Sequence, residues 1–219
     1  IGILSKERSG NKTLVSFAKG ELAESLMLLM TEQPMLNLET VLTRSSLAIL
    51  PALLAPINVI DLSKRTGLSL RTIKGLLARW RKMGVISSQE NGYAINENMK
   101  PLRFFTRKYS EARNLRILKS EYPEANIVWQ WRDEFIMAIN KPIINANYSP
   151  AATTRLSELG KDIISSVQSY LFSPEKRHVT EKEALAQSLM LDPLEPRVQR
   201  LIRGYFSNES DVREIYNYA

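Results

Sequence analysis

The sequence predicts an α+β protein in two parts: a basic module of helices closed by a hairpin, followed by a small α/β domain. Apolar residues recur at helical spacing between Ser45 and Met83, and the pattern then changes to two short strand-like runs on either side of Asn91-Gly92. The charge also changes sign along the chain. Residues 1–123 hold 19 Lys and Arg against 10 Asp and Glu, a net +9, whereas residues 124–219 hold 11 against 13, a net −2. With 219 residues and 44% apolar content, the chain can bury a full core in each of two domains of ordinary size.

In chain order, residues 1–19 carry two strand-like runs around Gly10-Asn11, and residues 20–43 read as a helical connector with Leu22, Leu26, Leu29 and Met30 on one face. Met27, Leu28 and Met35 fall off that stripe and would face a partner copy in a homodimer. Residues 44–99 form the basic module. Ser45-Ser46 cap a mostly buried helix with Leu47, Ile49, Leu50, Leu53 and Leu54 that ends near Pro56. Asn58 caps a second helix over 59–66, and Gly67 accepts the left-handed backbone that turns the chain sharply after it. Ser69 caps a third helix over 70–83, whose Ile73, Leu76, Leu77 and Trp80 fall at i, i+3, i+4 and i+7. Strands over 85–88 and 93–96 follow, with Asn91-Gly92 supplying the positive φ values of a tight hairpin. Residues 100–123 read as a linking helix, whose Arg103, Arg107, Lys108, Arg113, Arg116 and Lys119 form a solvated face or lengthen a phosphate track.

The specific segment is Ile60-Asp61-Leu62-Ser63-Lys64-Arg65-Thr66-Gly67-Leu68-Ser69-Leu70-Arg71-Thr72-Ile73: a short helix, a glycine turn and a Ser-capped basic helix. With its hairpin it resembles the winged helix-turn-helix family, and the layout of the whole chain resembles archaeal winged-helix transcriptional regulators. Residues 83–95 also match residues 1–15 in character, each with a glycine, an apolar pair, a Gly/Asn turn and a returning strand. The expectation is a tandem array in which residues 1–19 are the wing of a first, truncated copy.

The resemblance implies sequence-specific binding to double-stranded DNA, with the helix over 70–83 in the major groove and the hairpin on the neighbouring backbone or minor groove. Arg71 would reach guanine O6 and N7, Thr72 a thymine methyl or a phosphate, and Gly75 would allow close approach, with Ser69 and Lys74 beside them. Lys64, Arg65, Arg79 and Lys82 suit phosphates, Gln89 and Asn91 supply the hairpin's contact, and Lys6, Arg8 and Lys12 supply that of the first wing. Composition agrees: no acid stands between Leu62 and Lys82 among seven cations, and a field of that sign favours a polyanion.

Residues 124–219 read as strands over 127–131 and 134–139 joined at Arg132-Asp133, a helix over 150–159, a strand over 163–171 and three closing helices. Thr180-Glu181-Lys182-Glu183 is a capping box. Val128-Trp129-Gln130-Trp131-Arg132-Asp133-Glu134-Phe135, Thr153-Thr154-Arg155-Leu156 and residues 179–192 look like the AbiEi-type antitoxins, whose C-terminal domain is similar to a nucleotidyltransferase fold. That implies an inactive domain and, as a second reading, a protein partner bound through it; a winged-helix scaffold that binds protein is a third. Catalysis is not expected. The Gly-Ser pair and Asp-x-Asp of a working nucleotidyltransferase are missing, and Asp133-Glu134 reads as turn-forming acid rather than a magnesium site. Trp129 and Trp131 read as core or interface aromatics. Without cysteine there is no disulfide framework, the one histidine, His178, sits in a charged turn, and neither metal nor cofactor is expected. The longest apolar run, 47–57, is too short to span a bilayer and no basic leader opens the chain, so the expected location is cytoplasmic and away from membranes.

Overall fold

Helices and strands mix in both halves of the computed structural model, which describes residues 3–9, 12–163 and 165–205 and divides into units 1–116 and 117–219. In the first unit, β1 (Leu4–Ser9) and β2 (Lys12–Phe17) pair antiparallel with Leu4 opposite Phe17. The expected N-terminal hairpin is therefore present, while Gly10 and Asn11 lie outside the described residues. α1 (Glu21–Glu32) buries Leu22, Ala23, Ser25 and Leu29. Met30, expected on that stripe, is exposed, because it stands one residue past Leu29 and so roughly 100° around the helix. Met27, Leu28 and Met35 are exposed as well.

After α2 (Leu38–Val41), α3 (Arg44–Ile49) begins two residues earlier than expected, because the cap is Thr43, whose Oγ1 accepts from the Ser46 N–H at 3.2 Å. It also ends earlier: a single turn of 3-10 helix, Ala52–Leu54, follows Pro51, whose missing N–H cannot continue the α-helical ladder. α4 (Val59–Thr66) and α5 (Leu70–Lys82) match their expected caps, Asn58 and Ser69, and Gly67 joins them at φ 68°. β3 (Ile86–Gln89) and β4 (Gly92–Ile95) form the hairpin.

The hairpin turn differs from the expectation. Gln89 pairs with Gly92, so the two loop residues are Glu90 and Asn91, and Gly92 belongs to the strand at φ 127°. Its lack of a side chain serves close approach. Tyr93 and Ile57 exchange backbone hydrogen bonds of 2.9 and 3.1 Å, which brings Gly92 so near that a Cβ there would collide with the Ile57 carbonyl. That bridge ties the hairpin to the segment entering α4.

One core unites this unit, with Leu29, Ile49, Leu53, Leu62, Ile73, Trp80, Ile95 and Phe105 fully or almost fully buried in it. α6 (Lys100–Glu121) gives Leu102 and Phe105 to this core. The unit boundary falls inside α6 rather than at Glu124, because Leu118 already belongs to a core of the second unit with Phe135, Met137 and Tyr148.

The second unit holds β5 (Asn126–Trp131), β6 (Glu134–Ile139), β7 (Tyr148–Pro150), α7 (Ala152–Glu158), β8 (Gln168–Phe172), α8 (Glu181–Leu191) and α9 (Pro196–Tyr205). The sheet order is β5-β6-β8-β7 and every pair is antiparallel, so this half is α+β and not α/β. β6 is buried on both faces, with Ile136 in a cluster with α7 and α8 and Phe135 and Met137 in the other. β7 was not foreseen, the expected strand over 163–171 shortens to β8, and the last of the three closing helices falls outside the described residues. The Thr180-Glu183 capping box is present.

Asp133 and Glu134 are buried rather than solvated at a turn. Arg177 grips Glu134 with two hydrogen bonds of 3.2 Å, Ser173 Oγ donates to it at 2.7 Å, and Arg177 Nη1 reaches Glu183 at 2.7 Å. Trp129 packs against the helical side of the sheet, whereas Trp131 is exposed with the Arg132 guanidinium 5.8 Å from its ring centre. Among the described residues no helix is long and apolar enough to cross a membrane.

The Ile57–Gly92 approach predicts that Gly92→Ala breaks the bridge and lowers stability by about 2 kcal/mol or more, since the added Cβ meets backbone that cannot give way. Thermal melting checks this; an unchanged midpoint contradicts it.

Candidate nucleic-acid interface

The apolar stripe of α5 decides which of its residues are available. Ile73, Leu77 and Trp80 are buried, and the opposite side, where Arg71, Gly75, Ala78 and Lys82 recur at i, i+4, i+7 and i+11, is exposed. Leu70 and Lys74 lie on one flank of that face, and Thr72 and Arg79 on the other. The side chains of Arg71, Lys74, Arg79, Arg81 and Lys82 make no hydrogen bond or ion pair to a described residue, and Arg71 and Lys82 stand roughly 16 Å apart along the axis. Five unneutralised cations on one helix repel each other, and an external polyanion relieves that repulsion.

The two hydroxyls expected among the contacts are engaged locally. Ser69 Oγ accepts from the Thr72 N–H at 3.1 Å and lies 2.9 Å from Thr72 Oγ1, so both belong to the helix cap. Lys64 stands 3.4 Å from Asp61 in an exposed pair of the kind worth ~0.2–1 kcal/mol, which a phosphate can displace. Arg65 is half-buried. Gln89 and Asn91 are exposed at the hairpin tip. Lys6 and Arg8 are exposed two apart on β1 and therefore on one face of it, and the side chain of Lys12 lies outside the described residues.

Three of the seven α6 cations serve the fold instead. Arg103 donates to the Ile95 and Leu54 carbonyls at 3.0 and 3.1 Å, and Lys119 donates to those of Pro123 and Ala125 at 2.8 Å. Lys108 reaches Glu21 at 2.8 Å and Glu111 at 3.0 Å, and these hydrogen bonds raise its pKa above the ordinary lysine value. Arg113 is half-buried, with Asn114 Oδ1 3.5 Å away. Arg107 and Arg116 are exposed; Arg107 lines a shallow concavity with Lys100 and the exposed Phe104. Spacing alone could not separate these two groups, because the carbonyls that hold Arg103 come from 8 and 49 residues away.

Two features of α5 escaped the sequence reading. Leu70, its first residue, is 45% exposed, and Ala78 extends the small-residue notch at Gly75. Among the described residues no group of three or more His, Asp or Glu could hold a metal ion.

Nothing within 4 Å would meet a Cβ built on Gly75, so no internal packing requires glycine there, although mid-helix glycine costs about 0.5–1 kcal/mol relative to alanine. Gly75→Ala is therefore expected to stabilise the protein by up to that amount in urea denaturation; destabilisation would mean that the fold itself needs the glycine. The chain was compared with known protein families, curated proteins and solved structures, and it matches none of them.

Proposed function

We propose that the chain is a winged helix-turn-helix protein that binds double-stranded DNA sequence-specifically and regulates transcription without catalysing a reaction. The observation that carries this reading is the outward face of α5, where cations whose side chains have no partner among the described residues surround a notch at Gly75 and Ala78, and no described neighbour requires the glycine. A helix about 10–12 Å across fits the major groove of B-form DNA, about 12 Å wide, and small residues at the centre let its backbone approach the base edges. Arg71, in the first turn, meets a guanine edge with its planar fork, and Lys74 reaches the adjacent base or phosphate. Arg79 and Lys82, toward the other end, hold phosphates, as do Lys64 and Arg65 on α4. Gln89 and Asn91 at the hairpin tip contact the flanking backbone or minor groove, held there by the Ile57–Tyr93 bridge. With the Ser69 and Thr72 hydroxyls committed to the cap, base reading falls to Arg71, Lys74 and their immediate neighbours.

The two ends of α5 separate base reading from backbone holding. Arg71→Ala is expected to cost roughly 1–3 kcal/mol on the preferred duplex and to relax preference at one base pair, while Lys82→Ala weakens preferred and random duplexes alike. Neither change touches the buried stripe, so melting should be nearly unaltered. Equal loss on specific and random duplexes for Arg71→Ala would make it a phosphate contact; no effect from either variant would favour the protein-binding scaffold instead.

A further inference from the structure

We propose that Leu70 reads the 5-methyl group of a thymine in the major groove, so that the preferred site carries a thymine next to the base pair met by Arg71. The inference rests on the duplex-binding reading of α5 and deepens it by naming one base and the side chain that selects it.

Leu70 is 45% exposed at the leading position of α5, outside the buried stripe of Ile73, Leu77 and Trp80. The apolar contact that steadies the start of a helix joins the residue before the cap to the fourth residue of the helix. Here those positions are Leu68, half-buried against the core, and Ile73, fully buried. Leu70 is outside that pair. It has Arg71 beside it and Lys74 one turn along, both exposed, and Ala78 a further turn along the same row. Among the exposed residues of α5, Leu70 carries the largest apolar side chain.

The charge around Leu70 points to a polyanionic partner, and the chemistry of the base edges then narrows the contact. In the major groove guanine, adenine and cytosine present hydrogen-bonding groups, which leucine cannot satisfy and would strip of water. Thymine adds a methyl group at C5, the apolar feature of these edges, and residues in the first turn of such a helix are the ones that meet them. Ala78 also offers a methyl group but lies two turns beyond the first turn, and Thr72 lies on the opposite flank with its hydroxyl drawn back to Ser69 at 2.9 Å. Leu70 and Arg71 are adjacent in sequence and about 100° apart around the axis, so they address neighbouring base pairs rather than one.

The test replaces thymine by uracil, which removes the methyl group and leaves hydrogen bonding unchanged. With the full chain and its preferred duplex, selected from random sequence, each thymine is replaced in turn. Uracil at one thymine position should weaken binding about fourfold, the value of one buried methyl group, and 5-methylcytosine should outbind cytosine there by a similar factor. Leu70→Ala should bind the thymine and uracil duplexes equally while melting like the parent protein. Duplex binding indifferent to uracil at every thymine overturns the methyl contact and leaves the duplex-binding reading standing. A uracil penalty that persists in Leu70→Ala assigns the methyl to another residue and overturns it too, as does a change of oligomeric state in Leu70→Ala without loss of discrimination. Failure to bind any duplex overturns the reading of α5 and the methyl contact with it.

Discussion

Burial of the Ile73–Leu77–Trp80 stripe of α5 fixes everything that the helix offers to solvent. Trp80 dominates the energetics: its side chain removes ~150–250 Å² from water, worth about 4–6 kcal/mol at ~25 cal/mol per Å². Its indole N–H has no acceptor among the described residues, which costs about 1–3 kcal/mol, so the apolar term wins and the ring stays inside. Turning α5 by half a revolution would expose the tryptophan and drive Arg71 and Lys82 into the core, where an unpaired charge costs several kcal/mol more. The orientation of the basic face follows from the core and needs no contribution from a partner.

The hairpin depends on that arrangement at one remove. The chain leaves α5 through Val85, which is buried and donates to the Trp80 carbonyl at 2.9 Å, and Asn96 returns to Val85 at 3.0 Å. The approach of Gly92 to Ile57 then pins the far strand to the start of α4. Arg103 adds a brace by donating to Ile95 and Leu54. The hairpin tip with Gln89 and Asn91 and the outward face of α5 are thus joined by a continuous set of contacts, in which the connecting residues Ile57, Val85 and Asn96 take part.

How much was legible in the sequence follows the range of the interactions. α4, Gly67, Ser69 and α5 stand close to where the sequence put them, because caps, a left-handed glycine and an i, i+3, i+4, i+7 stripe are all local signals. The hairpin was found but its turn was misread: Asn91-Gly92 is a strong local turn signal, overruled by the approach of Ile57 from 35 residues earlier. Met30 was placed on the wrong side of α1, β7 is too short to carry a pattern, and the pairing of Glu134 with Arg177 spans 43 residues. Of the candidate interface, the cations of α5 were legible as a group. That Ser69 and Thr72 hold each other, that Arg103, Lys108 and Lys119 are committed within the fold, and that Leu70 stands exposed required the three-dimensional contacts.

The central claim is that the outward face of α5 and its flanks meet the phosphates of a duplex, and the dependence of duplex affinity on salt measures this most directly. Each neutralised phosphate releases condensed counterions, so contacts to about five phosphates give a log-log slope of magnitude about 4 or more. A slope of that size between about 50 and 200 mM salt is the expected result; an affinity that does not change with salt would contradict the account.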